Sequence, residues 1–435
     1  MVDLSLKTHH AVQMACAARA LVAAAPSEHL KRVLGRLAFV YLHDVLRFAA
    51  PWRNDLLRDA RTELTARAAE PALNRLRADW DHYQEVRHFL AAKRQLRDPD
   101  PAIDQLETFK LWGDIGQLSV ELLVDDAIEL YVQLSAVDQL PAVDPAPTVS
   151  DRVIEAVAAH EPVGEEGYLE VNASTFAAAR PNTVALRVGG ELGRLIALIN
   201  DVAESASLLA AIARARPTDA SIHRLLQCSL SSEIAEILRL SIGAPDSVQQ
   251  HTPDTLSLLA HFSGPGRAPD PLMVLEHLKS SIPQSTRDSL HDWRNRLGAH
   301  TDADTPWQLL EDGFDITDLD ECLGLLEWVT LNLEHAAATN GGPVLLLLGN
   351  RQFKTLFDSV GYEGGLPFDD VRDTDVANVR SSLPPLEADS EHVIWVNGPH
   401  GSKMAAAVAG MISARGRAVQ ARLDAYHQGR RPGRS

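Results

Sequence analysis

The chain has 435 residues, of which 45% are hydrophobic and 23% charged, and its formal net charge is −18. This length allows about two or three domains with cores of their own. The acidic balance excludes nucleic-acid binding through a broad basic surface, and it leaves open a local basic cleft.

Three features of the chain predict a cytoplasmic protein without a membrane span or a metal, and no cofactor is expected. The longest apolar stretch is interrupted by Asn200, Asp201 and Glu204, so it does not reach the length of a membrane helix. The N-terminus is Ala-rich but contains an early acid and two histidines, which is unlike a signal peptide. The cysteines lack metal-ligand spacing and are expected to be small buried residues in a reducing compartment: Cys16, Cys228 and Cys322.

Residues 1–140 and 189–340 have the patterns of helical bundles. Apolar residues recur at three- and four-residue spacing, as in Leu225, Leu226 and Ile234, which is typical of amphipathic helices. Prolines are expected to mark helix boundaries, Pro51 and Pro71 among them. Residues 141–188, rich in Pro, Val and Gly, form a linker or an insertion, and a short strand is predicted where they end, in TVALRVGGE (183–191).

The two helical regions share three weak sequence matches in the same order. Residues 37–51 match 230–245, each with Val/Ile-Leu-Arg followed by apolar residues and a proline. Residues 111–130 likewise match 312–331. Between these anchors, segment 85–93 aligns with 292–300, which places Arg87 opposite Arg294 and Lys93 opposite His300. The order of the matches predicts two copies of one domain.

Residues 341–425 have a different pattern and predict a small α/β unit, Rossmann-like, with a basic tail at 426–435. Segments 342–350 and 392–398 are short apolar runs bounded by glycines, which suits buried parallel strands. The turn that follows is a weak candidate for binding an anion through backbone amides, and its residues are Gly398, Gly401, Ser402 and Lys403. Its spacing is not that of a nucleotide P-loop, so a nucleotide sensor and a plain turn both remain open.

The stretch WRNRLGAH, residues 293–300, is the strongest candidate for chemistry. On an unbroken helix, Arg294 and His300 would diverge by roughly 120° around the axis. Gly298 can end or bend the helix and let His300 turn back toward the arginine. An arginine fork suits a phosphate, and an imidazole titrating near neutrality can move protons. The alternative is an arginine in a salt bridge and a histidine at a helix C-terminus, where the helix dipole favours it.

This motif resembles that of the HEPN family, whose signature is an arginine, a polar residue and, after a short spacer, a histidine. The resemblance implies helical-bundle domains and a metal-independent endoribonuclease whose site is shared between two domains. Arg294 would then bind the phosphate, Asn295 would orient it, and His300 would transfer protons as the RNA 2′-hydroxyl attacks. Arg36 and His43 also satisfy the loose pattern, but Leu37 follows the arginine and the segment has the character of a helix interior.

The first copy departs from the motif, because Arg87 and His88 are followed by Lys93 where the histidine is expected. Lysine can hold phosphate but is a poor proton shuttle at neutral pH. The resemblance therefore implies one degenerate and one intact site in an RNA-binding effector of toxin or phage-defence type. Its expected partners are RNA, an antitoxin or sensor protein and a second protomer, and neither DNA nor membrane. The alternatives are a non-catalytic tandem helical interaction protein and a nucleotide sensor.

Overall fold

The fold comes from a computed structural model that describes residues 2–26, 28–91, 107, 111, 118–137, 140–159, 184–186, 205–206, 208–242, 377 and 394–396. These residues are mainly helical, which confirms the predicted helical class for this part of the chain. The helices are α1 Val2–Ala24, α2 Glu28–Leu56, α3 Glu63–Ala68, α4 Glu70–Ala78, α5 Trp80–Glu85, a π-helix Val86–Ala91, α6 Val120–Ser135, α7 Asp151–Ala158 and α8 Ala220–Ile242. None of these described helices is both long and apolar enough to cross a membrane.

Helix α1 is enclosed by other helices of the described fold. It packs against α2, α6 and α8, and its residues 14–18 are buried one after another around the helix. A helix that is apolar on all sides must be enclosed by other elements, and the alanines in this stretch let the neighbouring helices approach closely. Cys16 is buried and free in this helix, as the sequence predicted, and Cys228 is equally buried in α8. Cys322 lies outside the described residues.

Helix α2 continues through Pro51, so the predicted helix boundary at this proline is wrong. A proline inside a helix removes one backbone hydrogen bond and costs about 3 kcal/mol in isolation. Here the residues that follow it are anchored, because Trp52 is 0% exposed and Leu56 is 2% exposed. Tertiary packing therefore extends the helix by a further turn. By contrast, Pro71 lies in the first turn of α4 as predicted, where its missing N–H has no helical partner to lose.

Helix α6 shows how its sequence fixes both its start and its buried face. The Ser119 Oγ accepts a hydrogen bond from the Leu122 amide, the usual N-cap arrangement. Its buried residues recur at helical spacing along one side: Leu123, Val124, Ala127, Leu130, Tyr131 and Leu134. On its exposed side, Asp125 pairs with Arg19 and Asp126 with Arg75.

Helix α8 shares one hydrophobic core with the helices of the first 160 residues. Its contributions to that core are Ile222, Leu225, Leu226 and Leu230. Before α8, Arg216 has a left-handed backbone conformation, with a φ of 53°, directly before Pro217. A left-handed residue followed by proline ends the preceding helical segment. The division into copies at 1–140 and 189–340 stays a prediction, because most of the second range lies outside the described residues.

A short antiparallel ladder joins β1, Val184–Leu186, to β2, Ile394–Val396. β1 lies in the segment for which a short strand was predicted, and β2 lies within the predicted strand 392–398. The ladder is antiparallel, whereas the C-terminal pattern had indicated parallel strands. The predicted partner at 342–350 lies outside the described residues, so the Rossmann-like unit stays a prediction.

Candidate functional site

Most of the predicted site residues lie outside the described part of the chain. This applies to the intact motif, to Lys93 and to the weak anion-binding turn: Arg294, Asn295, His300, Gly398, Gly401, Ser402 and Lys403. Within the described part, Arg87 has its side chain placed and His88 has its backbone placed. Arg87 is therefore the predicted site residue whose side chain the structure describes.

Arg87 lies on the π-helix Val86–Ala91. π-helical turns are rare, and they occur often at functional sites. Val86 is 0% exposed and Arg87 is 8% exposed, so two successive side chains point into the protein. A π-helical turn is wider than an α-helical turn and changes the direction in which successive side chains point. The π-helix is therefore consistent with the burial of both Val86 and Arg87.

The Arg87 guanidinium contacts His43 of α2, a pairing that the sequence motif did not predict. Arg87 Nη1 lies 3.3 Å from His43 Nε2, and His43 Nδ1 lies 3.4 Å from Asp44 Oδ1. Because arginine can only donate, Nε2 must accept and the proton of a neutral imidazole sits on Nδ1, facing the carboxylate. The ring of Trp80 stacks on His43 with centroids 4.6 Å apart. These four residues are called the Arg87 cluster.

The electrostatics of the Arg87 cluster hold the imidazole neutral. Burial lowers the pKa of His43, the Asp44 hydrogen bond opposes this, and the nearby Arg87 charge lowers it further. Burial also lowers the pKa of Arg87, which still leaves an arginine charged near neutral pH. Both His43 nitrogens are engaged, and the ring is 4% exposed. In this arrangement the cluster fastens the π-helix to α2 and offers no free nitrogen for proton transfer.

A second buried polar cluster joins α2 to α8. The Arg36 Nη2 donates to Glu233 Oε1, and the Ser205 Oγ donates to the same oxygen at 2.8 Å. The Arg36 side chain is 1% exposed and that of Glu233 is 6% exposed. Five residues further along α2, the Tyr41 hydroxyl lies beside the side chains of Cys228 and Ser229, without a well-formed hydrogen bond among the described residues. Burial raises the pKa of Tyr41.

Sequence reasoning placed Arg36 and His43 correctly inside a helix but did not find their partners. Each belongs to a different cluster, and neither contacts the other through a hydrogen bond among the described residues. The signal that was available is the polar spacing on α2, where Arg32, Arg36, His43 and Arg47 recur every four or seven residues. Residues at this spacing lie along one side of a helix. A polar stripe on an otherwise buried helix indicates polar partners across the interface.

The chain matches no family model, no curated protein and no solved structure. Within the part of the chain that the structure describes, no three His, Cys, Asp or Glu side chains converge as a metal site requires. Function therefore rests on the chemistry and geometry of the residues themselves.

Arg87→Ala is expected to lower the free energy of unfolding by about 2 kcal/mol, because it removes a hydrogen bond from a charged donor in a buried site. Arg77→Ala, on the exposed side of α4, serves as the matched control and is expected to change stability by less than about 0.5 kcal/mol. Denaturant unfolding of both variants measures the difference. Equal stability of the two variants would contradict a structural role for Arg87.

Proposed function

We propose that the chain is an internally duplicated helical protein of HEPN type that cleaves RNA without a metal ion. Arg294 holds the scissile phosphate, Asn295 orients it, and His300 transfers protons. The ribose 2′-oxygen loses its proton and bonds to phosphorus, and the bond to the 5′-oxygen breaks as that oxygen gains a proton. The products are a 2′,3′-cyclic phosphate and a 5′-hydroxyl, so the atoms and charges balance without a further reactant.

The observation that carries this proposal is the way α2 and α8 cross. Arg36 meets Glu233, and Tyr41 meets Cys228. As the position on α2 increases, the position on α8 decreases, so the two helices run antiparallel. These are the two helices whose sequences matched, since Val45-Leu46-Arg47 corresponds to Ile237-Leu238-Arg239.

The crossing relates equivalent positions of the two helices. The matched Leu-Arg pairs are 192 residues apart, Cys228 follows Arg36 by 192 residues, and Glu233 follows Tyr41 by 192 residues. Any antiparallel pair of helices with these two contacts has equal spacings from Arg36 to Cys228 and from Tyr41 to Glu233. Antiparallel packing alone does not require that this spacing equal the offset between the matched sequences. With this offset, Cys228 is the equivalent of Arg36 and Glu233 is the equivalent of Tyr41. Each α2 residue therefore contacts the equivalent of the other one, which is the rule for a two-fold interface.

This local two-fold relation supports two copies facing each other across α2 and α8. A site shared between two domains needs such an arrangement, and the second copy carries the intact motif. The first copy's arginine is engaged with His43 in the Arg87 cluster. The proposal accordingly assigns chemistry to the second copy and a supporting role to the first. It also confines RNA contact to a local surface, in keeping with the net charge of −18.

The test is degradation of single-stranded RNA by the purified full chain in the presence of a chelator. The wild type is expected to cleave, and His300→Ala is expected to slow cleavage at least about 100-fold, the usual effect of removing a general acid or base. Arg294→Ala is expected to weaken both RNA binding and cleavage, because it removes the charge that holds the phosphate.

Matched controls come from the same short stretch. His291→Ala and Arg296→Ala change the same residue types within a few positions of the motif, and both are expected to leave cleavage within about threefold of wild type. Absence of cleavage in chelator, or cleavage that survives His300→Ala, would overturn the ribonuclease assignment. RNA binding without cleavage would leave an RNA-binding effector as the surviving form of the proposal.

A further inference from the structure

The Arg87 cluster places a titratable hydrogen-bond acceptor directly in front of a permanent cation. Arg87 Nη1 lies 3.3 Å from His43 Nε2, and His43 Nδ1 lies 3.4 Å from Asp44 Oδ1. An arginine side chain has only donors and keeps its charge at any pH at which proteins fold. The contact therefore requires a lone pair on Nε2, which the imidazole has only while it is neutral.

A second proton on His43 turns this attraction into a repulsion. Because Nδ1 carries its hydrogen toward Asp44, the added proton goes to Nε2 and faces the Arg87 guanidinium. Two donors then meet at hydrogen-bond distance, and two positive charges lie in a buried site, where charges interact more strongly than in water. The imidazolium keeps its contact with Asp44, whereas Arg87 loses its acceptor.

The charged groups that act on His43 come from two elements. Helix α2 supplies Asp44 and Arg47, and the π-helix supplies Arg87. Helix α5 contributes the uncharged ring of Trp80, which stacks on the imidazole with an interplanar angle of 18°. Burial is the largest effect on the pKa of His43, and together with the two arginines it outweighs Asp44, so the pKa is lowered.

The two sides of the Arg87–His43 contact differ in how firmly they are held. On α2, Leu42 and Val45 flank His43 and Asp44 and are both 0% exposed, and the helix packs against α1 and α6. The π-helix has six residues.

Val86 anchors the start of the π-helix in the core, but Phe89 is only partly buried. Short segments with few buried contacts open at a lower free energy than core helices. The side that moves is therefore the π-helix after Val86.

We propose that the Arg87–His43 contact is a pH-sensitive switch that fastens residues 87–91 to α2 at neutral pH and releases them when His43 Nε2 is protonated. The released state binds the proton more tightly than the fastened state, so acid favours release. The proton comes from solvent and returns to it, and no further reactant takes part. The switch does not involve residues 291–300, and its test uses no RNA, so it and the proposed ribonuclease can fail separately.

Amide hydrogen exchange of the full chain at pH 7 and pH 5, corrected for the intrinsic exchange rate and read by mass spectrometry, tests the switch. Protection of residues 87–91 in the wild type is expected to fall about tenfold, because each unit of pKa difference between the two states shifts their equilibrium tenfold. Equal protection at the two pH values in the wild type would overturn the proposal.

His43→Gln keeps an acceptor for Arg87 and a donor for Asp44 but does not titrate. Its protection of residues 87–91 is expected to be the same at pH 7 and pH 5. The matched control is His10→Gln, which removes another buried histidine and is expected to keep the wild-type loss. A loss in His43→Gln as large as that of the wild type would show that another group controls the segment.

Arg87→Met tests the same contact from its other side. It removes the cation while keeping a long side chain, so residues 87–91 are expected to be less protected than in the wild type at pH 7. Their protection is also expected to be independent of pH, since protonated His43 then faces no guanidinium. Wild-type protection at pH 7, or an unchanged response to acid, would overturn the assignment of the switch to Arg87 and His43.

Discussion

Glu233→Ala is expected to lower the free energy of unfolding by about 3–5 kcal/mol, the usual cost of breaking a buried ion pair by removing one of its members. The Arg36 side chain is 1% exposed, so its guanidinium cannot reach water when the carboxylate is removed. Ser205 also loses its acceptor. The measurement is denaturant unfolding at neutral pH. The variant also tests the crossing of α2 and α8, because this ion pair joins the two helices.

Two controls distinguish the cost of removing one member of the buried Arg36–Glu233 pair from the cost of losing an ion pair in general. Arg36→Met combined with Glu233→Met replaces both charges with apolar side chains and is expected to recover most of the lost stability. Glu63→Ala breaks the exposed pair with Arg67 and is expected to cost less than about 1 kcal/mol. A Glu233→Ala variant as stable as Glu63→Ala would show that the Arg36–Glu233 contact does not hold the helices together.

The chain is expected to lose stability as the pH falls below 6.5, and His10 is expected to be a principal cause. His10 is 6% exposed, and burial, together with the charge of Arg224, lowers its pKa from 6.5 to about 4. Asp44 opposes this shift and His9 adds to it. The Nε2 atom of His10 has no hydrogen-bond partner among the described residues, so no acceptor compensates a proton there.

The sign of the pH effect on stability depends on whether the folded or the unfolded chain binds the proton. Between pH 6.5 and about 4, the unfolded chain protonates this histidine and the folded chain does not, so acid favours unfolding. The stabilising contribution is complete above pH 6.5 and is lost as the pH falls toward about 4. From neutral pH to pH 5 this amounts to about 2 kcal/mol. The lowered pKa of His43 acts in the same direction.

Unfolding free energies of the wild type, His10→Gln and His223→Gln at pH 7 and pH 5 measure this contribution. His10→Gln removes the titrating group and is expected to lose about 2 kcal/mol less on acidification than the wild type. His223 is exposed on α8, and its replacement is expected to leave the wild-type pH dependence in place. Identical pH dependence in wild type and His10→Gln would contradict the assignment.

Several parts of the fold could be predicted because local sequence decides them. The buried stripe of α6 follows from residues at helical spacing, and its start follows from Ser119 as the N-cap. Pro71 marks a helix start because its geometry suits the first turn. The burial of Cys16 and Cys228 follows from their small apolar character within apolar helices.

Other features depend on contacts between residues that are distant in sequence. Pro51 signals a helix end, but the burial of Trp52 and Leu56 outweighs that signal. No local sequence feature of Val86–Ala91 distinguishes a π-helix from an α-helix. The π-helical geometry accompanies a contact between Arg87 and His43, which is 44 residues away in sequence. The loose sequence pattern links Arg36 with His43 along the chain, whereas folding gives each a partner on another segment. Tertiary pairing of polar side chains was the missing information.

The measurement that tests the central claim most directly is the chemical nature of the RNA ends produced by the full chain in chelator. Attack by the 2′-hydroxyl leaves a 2′,3′-cyclic phosphate on one fragment and a 5′-hydroxyl on the other, and both ends are expected for the wild type. The same analysis of His300→Ala and His291→Ala is expected to show these ends lost in the first and retained in the second. Fragments with 3′-hydroxyl and 5′-phosphate ends, or no fragments at all, would contradict the account.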